Sequence, residues 1–100
     1  MSLVRMVRLA FGPDEAAAER LAADLVPAIR AREGCLAAVF FGPTEDGDYG
    51  LFVHWDTLEH ADAAASVIGP RLQKAVQGKV QEPPDIAMFQ VVGPEAVAAR

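Results

Sequence analysis

The chain has 100 residues, of which 52% are apolar and 23% charged, the balance of a globular domain slightly rich in apolar content. With 14 acidic against 9 basic side chains the net charge is −5, which argues against a phosphate-binding surface and so against nucleic acid as a partner. The single cysteine excludes an intrachain disulfide and suits a reducing, cytoplasmic compartment, and no apolar run approaches the ~18–20 residues of a membrane span. Arg5 and Arg8 interrupt the N-terminus, so it lacks a secretory pattern, and Met1-Ser2-Leu3 reads equally well as an expression-vector remnant ahead of a start near Val4. One domain over residues 1–100 is expected, its core at about 4–92.

In chain order, residues 4–11 are β-branched and aromatic enough for a strand, with Arg5 and Arg8 on opposite faces. Gly12-Pro13-Asp14-Glu15 then opens a helix, because proline suits the first turn and carboxylates meet the positive end of the dipole. Ala18, Leu21, Ala22, Leu25 and Ile29 form its buried stripe, and Pro27 predicts a kink or break in its last turns. Gly34 is the glycine that ends this helix, with Arg30 and Arg32 near its negative end. Residues 35–41 form a second strand and 49–55 a third, joined by the polar loop 42–48. Asp56 and Glu59 supply a capping box for a helix on Leu58, Ala61, Ala65 and Ile68, which Gly69-Pro70 should interrupt before a second piece at 71–80. Pro83-Pro84 forces an extended approach to a last strand at 86–92, and the tail beyond Gly93-Pro94 carries no conformational signal.

This order predicts an α+β domain of the ferredoxin-like βαββαβ plan, two helices covering one face of a four-stranded antiparallel sheet. The other face stays apolar whichever parity the strands take: Leu36, Ala38 and Phe40 alternate with Ala37, Val39 and Phe41, and Ile86 and Met88 with Ala87, Phe89 and Val91. A solvated face would alternate with polar residues, so the pattern predicts a homodimer packed through the open sheet face.

Arg32-Glu33-Gly34-Cys35-Leu36 after the first helix, and Trp55-Asp56-Thr57-Leu58-Glu59-His60-Ala61 after the third strand, resemble the antibiotic biosynthesis monooxygenase family of the dimeric α/β-barrel superfamily. The resemblance runs over roughly 4–92. It implies an oxidoreductase of the cofactor-independent monooxygenase type, or a related enzyme, acting on a small aromatic or enolic compound. The alternative it leaves open is a non-catalytic ligand-binding or interaction protein using the same dimer. Haem-degrading relatives use an asparagine on the first strand and a tryptophan and histidine in the second helical region. This chain has no asparagine, its one tryptophan precedes that helix, and residues 61–80 hold no histidine, which speaks against haem as a cofactor.

Among residues able to carry chemistry, His54 is the catalytic candidate. Strand parity sets it opposite Leu51, Val53 and Trp55, and its neutral imidazole, with an unperturbed pKa of about 6.5, suits a general base toward a phenol or enol. The structural alternative is a core or interface histidine. Arg8 and Gln90 lie on strands expected to neighbour the third, where a guanidinium would steady an enolate oxygen; the alternative for Arg8 is a carboxylate partner at the dimer rim. Trp55 and Tyr49 complete the ligand-binding candidates, Trp55 equally a core residue and Tyr49 part-exposed after a polar loop. His60 is expected in solvent and Cys35 inert. The two histidines have no ligand spacing, so no metal site is read, and no nucleotide motif occurs. The expected ligand cleft lies between the helices and the sheet.

Overall fold

A computed structural model of the chain describes residues 2–92. It contains β1 (Leu3–Ala10), α1 (Glu15–Arg30), β2 (Cys35–Phe41), β3 (Asp48–Trp55), α2 (Leu58–Val76) and β4 (Asp85–Gln90). The strands form one antiparallel sheet in the order β2-β3-β1-β4, which is the expected βαββαβ topology. The tail beyond Gly93-Pro94 lies outside the described residues.

The core fills the space between the sheet and the helices. Val7 and Leu9 of β1, and Leu51, Val53 and Trp55 of β3, point toward α1 and α2 and are buried. They meet Leu21, Leu25 and Ile29 of α1 and Ile68, Leu72 and Val76 of α2. Leu9, Leu25 and Ile29 are the largest side chains wholly shut from solvent, and truncating one to alanine would cost about 2–5 kcal/mol.

Neither helix breaks at its proline, which for α2 departs from the expected interruption. α1 continues through Pro27 to Arg30, and α2 runs unbroken from Leu58 to Val76 through Gly69-Pro70. In each case the carbonyl that loses its helical donor belongs to an exposed residue, Ala23 or Ser66, so water can satisfy it. The buried stripe meanwhile continues across the proline and holds the helix together. In α2 that stripe is Ala61, Ala64, Ile68, Leu72 and Val76, which leaves Leu58 exposed and Ala65 half-buried rather than on the stripe.

Of the two helix starts, that of α2 is capped by another residue than expected. Asp14 is itself the cap of α1, accepting from the Ala17 amide at 3.0 Å. For α2 the cap is Thr57, whose hydroxyl accepts from the His60 amide at 3.1 Å, in place of an Asp56–Glu59 box. Asp56 is drawn elsewhere: its carboxylate lies 2.7 Å from Nδ1 of His60, four residues on.

Candidate functional site

Register fixes which side chains share the sheet face that the helices leave uncovered. Arg8 stands opposite Gly50 of β3 and Asp85 of β4, Met6 opposite Phe52 and Ala87, and Val4 opposite His54 and Phe89. Val39 and Phe41 of β2 join them, paired with Phe52 and Gly50. Val39 and Phe41 are each 46% exposed and Phe89 54%, so the open face is apolar and unsatisfied, as the sequence pattern implies.

One end of this face is hollowed into a cavity of about 430 Å³. Its floor is low because Gly50 has no side chain: a Cβ there would run into the Phe41 ring, which leans across the strand above it. Met6 and Ala87 continue the floor, and Phe41 and Phe89 stand as walls. At the rim, Arg8 donates through Nη2 to Asp48 Oδ2 at 2.7 Å, with Thr44 and Asp85 beside the pair. Asp48, supported by Glu82 and then Asp85, raises the pKa of the Arg8 guanidinium above its ordinary value. The result is an apolar trough with its polar groups gathered at one end, the form in which proteins hold small hydrophobic molecules.

The structure brings together only part of the set read from the sequence. Arg8 lines the cavity and Tyr49 touches it. The Tyr49 ring, however, is buried in the core, edge-on to Phe11 at 5.6 Å and stacked on Phe40 at 5.5 Å, rather than part-exposed. Desolvation, then Glu15, Glu19 and Asp14, push its phenol pKa up, so ionisation there is disfavoured. Burial arises because the loop before β3 closes on the β1–α1 turn, where the Phe11 and Gly12 amides both donate to the Gly47 carbonyl at 3.1 Å.

His54 shares the open face with Arg8, but it lies four residues from Gly50 along β3, about 13 Å away at ~3.3 Å per residue. It is 5% exposed, and its Nε2 has no hydrogen-bond partner among the described residues. Gln90 pairs with Leu3 and therefore points to the opposite face from His54 and Arg8. Trp55 is packed in the core beneath the helices. The three polar residues expected to converge thus do not, and the layer between helices and sheet is filled by core side chains, so the cavity lies on the other side of the sheet. Phe41 and Phe52 stand on the open face.

Sequence reasoning passed over Gly50, Phe41, Asp48 and Asp85. Gly50 carried the only local signal, since a glycine inside a strand marks a close approach by a neighbour. Cys35 takes no part: its thiol donates to the Ala37 carbonyl at 3.6 Å, and burial, more than any helix dipole, pushes its pKa up. Among the described residues no three of His, Cys, Asp and Glu are grouped to hold a metal ion, and no helix is long and apolar enough to cross a membrane.

No protein-family model and no curated protein matches the chain. Solved structures do. The Mycobacterium tuberculosis protein Rv0793 superposes with a TM-score of 0.80 at 17% identity, over 95% of this chain and 99% of that one. A Deinococcus radiodurans protein named as a candidate antibiotic biosynthesis monooxygenase gives 0.79 at 18% identity, over 94% and 95%. The Streptomyces coelicolor monooxygenase from ActVA-Orf6, in complex with nanaomycin D, gives 0.75 at 18% identity, over 93% and 89%. Along nearly its whole length, then, this chain has the α+β fold of the structures named antibiotic biosynthesis monooxygenases.

Proposed function

We propose that the protein binds a small aromatic or enolic molecule in the open-face cavity and works as a homodimer whose second copy roofs that cavity. The observation that carries the ligand reading is the trough of about 430 Å³ with apolar walls and polar groups confined to one rim. Of the residues expected from the sequence, Arg8 and Tyr49 line it. His54, Gln90 and Trp55 are left out because they stand away from the cavity. The dimer reading rests on Val39, Phe41 and Phe89, whose exposure on one face is the mark of an interface. An obligate dimer of this kind buries on the order of 2,000 Å² or more.

A cofactor-independent oxygenation of the bound compound is the second reading, favoured by the S. coelicolor monooxygenase that shares the fold and was solved with nanaomycin D. In that case Arg8 would hold a developing oxyanion at the rim, at the expense of its pairing with Asp48.

Titration of 2-naphthol, followed by its own fluorescence, tests binding directly. Saturation at one molecule per chain is expected, weakened at least tenfold by Ala87→Trp, which fills the trough from an exposed edge strand. Unsaturable binding, or an Ala87→Trp protein that binds equally well, sinks the proposal. Incorporation of labelled dioxygen into a panel of naphthols in cofactor-free buffer separates the oxygenase from a simple binder.

A further inference from the structure

We infer that the open-face cavity selects uncharged and cationic aromatic molecules and turns away carboxylates, although an arginine stands at its rim. The inference rests on the ligand reading of this cavity and assigns its charge preference. Arg8 is the one basic side chain among the residues that line the trough, while Asp48 and Asp85 both line it. The guanidinium is already held by Asp48 at 2.7 Å, and the register sets Asp85 directly opposite Arg8 on β4. Glu82, just before that strand, adds a third carboxylate close enough to act on Arg8.

One cation against two lining carboxylates leaves the rim net negative before Glu82 is counted. Arg8 gives Asp48 one charge-assisted hydrogen bond, from Nη2 to Oδ2, so its charge is already matched by a carboxylate. An incoming carboxylate therefore either displaces Asp48, leaving that charge unpaired, or shares Arg8 with Asp48 while standing close to Asp85 and Glu82. At separations of a few ångströms and low salt, repulsion of this kind is enough to change affinity about tenfold. A neutral phenol needs only a hydrogen bond from the rim. An ammonium group gains from Asp85. The selectivity is built by repulsion against one class, the usual route when apolar contacts are the same for both.

The experiment compares three probes on one skeleton at pH 7 and low salt: 2-naphthol, 2-naphthoate and 2-naphthylmethylammonium. Expected are comparable or tighter binding of the ammonium than of the naphthol, and naphthoate weaker than naphthol by about tenfold or more. Asp85→Asn should narrow the gap between naphthol and naphthoate several-fold, and Glu82→Gln, further from the trough, should narrow it less. Naphthoate bound as tightly as naphthol overturns the charge inference and leaves the cavity reading standing, as does a gap unmoved by both variants. Failure of all three probes to bind overturns both.

Discussion

Gly34→Ala tests how tightly the end of α1 is locked to the start of α2. Gly34 has φ of +87°, a conformation in which an L side chain costs about 1–2 kcal/mol. A Cβ there would also collide with Asp56 Oδ1 and with Nδ1 and Cβ of His60, while the Asp56 amide donates to the Gly34 carbonyl at 2.9 Å. The new methyl can be housed only by pushing apart the Asp56–His60 pair, an overpacking cost of about 1–3 kcal/mol. The total is about 2–5 kcal/mol. Gly78→Ala supplies the reference, because Gly78 has a similar φ of +74° and open space where the Cβ would go. It should lose only the backbone part, about 1–2 kcal/mol. Urea unfolding of the two variants, each against the parent, isolates the difference, expected at about 1–3 kcal/mol with an unchanged m-value. Equal losses would refute the reasoning, since they would mean that the Asp56–His60 pair yields freely and locks nothing.

Asp56 raises the pKa of His60 above its ordinary 6.5, with Glu33 and Glu59 adding to the effect, and His60 lowers that of Asp56 below 3.8. The pair's contribution is therefore complete between those ordinary values, is lost as pH climbs through the raised His60 value, and is lost again as pH falls through the lowered Asp56 value. The urea midpoint should fall between pH 6 and pH 9, and His60→Gln should flatten that decline. Phe89→Asp, placing a charge on the open face, should convert a dimer at low micromolar concentration to a monomer by sedimentation; a parent that is already monomeric refutes the dimer. Gly69→Ala should stabilise by about 0.5–1 kcal/mol, because Gly69 is helical and nothing lies within 4 Å of its Cβ direction. His54→Leu should leave 2-naphthol affinity unchanged, which a role for His54 in the ligand site would contradict.

The element order was legible because the chain carries its own punctuation: Gly34 before β2, although α1 already ends at Arg30 with Ala31 as its cap, the polar loop before β3, and Pro83-Pro84 before β4. The hydrophobic stripe of α1 was legible for the same reason, a local 3.6-residue period. Side-chain direction on the strands was half legible. Alternation within β3 correctly separates His54 from Leu51, Val53 and Trp55, and it would have assigned Tyr49 to the buried side as well. The polar loop before Tyr49 argued for exposure and misled, since nothing local reveals that Gly47 docks against Gly12, 35 residues earlier, in the turn between β1 and α1. Gln90 fails for a related reason. Its face depends on the register of β4 against β1, and a shift of one residue reverses every side chain on the strand. His60, expected in solvent, is half-buried and paired: the Asp56 carboxylate four residues earlier holds its ring at 2.7 Å, and the approach of Glu33, 3.7 Å from Nε2, depends on the tertiary fold.

The same distinction explains why the candidate site moved. The sequence pattern points to two apolar sheet faces but does not say which one is filled. Small residues on the helix stripes, Ala17 and Ala18 on α1 and Ala61 and Ala64 on α2, let both helices settle close to the sheet. Trp55, Tyr49 and Leu51 then occupy the space a ligand would need between the layers. On the other face no helix presses down, and a glycine at position 50 removes the side chain that would level the surface beneath Phe41. A hollow can persist there because its walls are aromatic and its rim is fixed by Arg8 and Asp48, drawn from strands 40 residues apart in sequence. A histidine deep in an apolar strand face looked like the chemical centre because it interrupts a pattern. The cavity formed instead where a side chain is missing, at Gly50, and where two opposite charges on different strands meet across its edge.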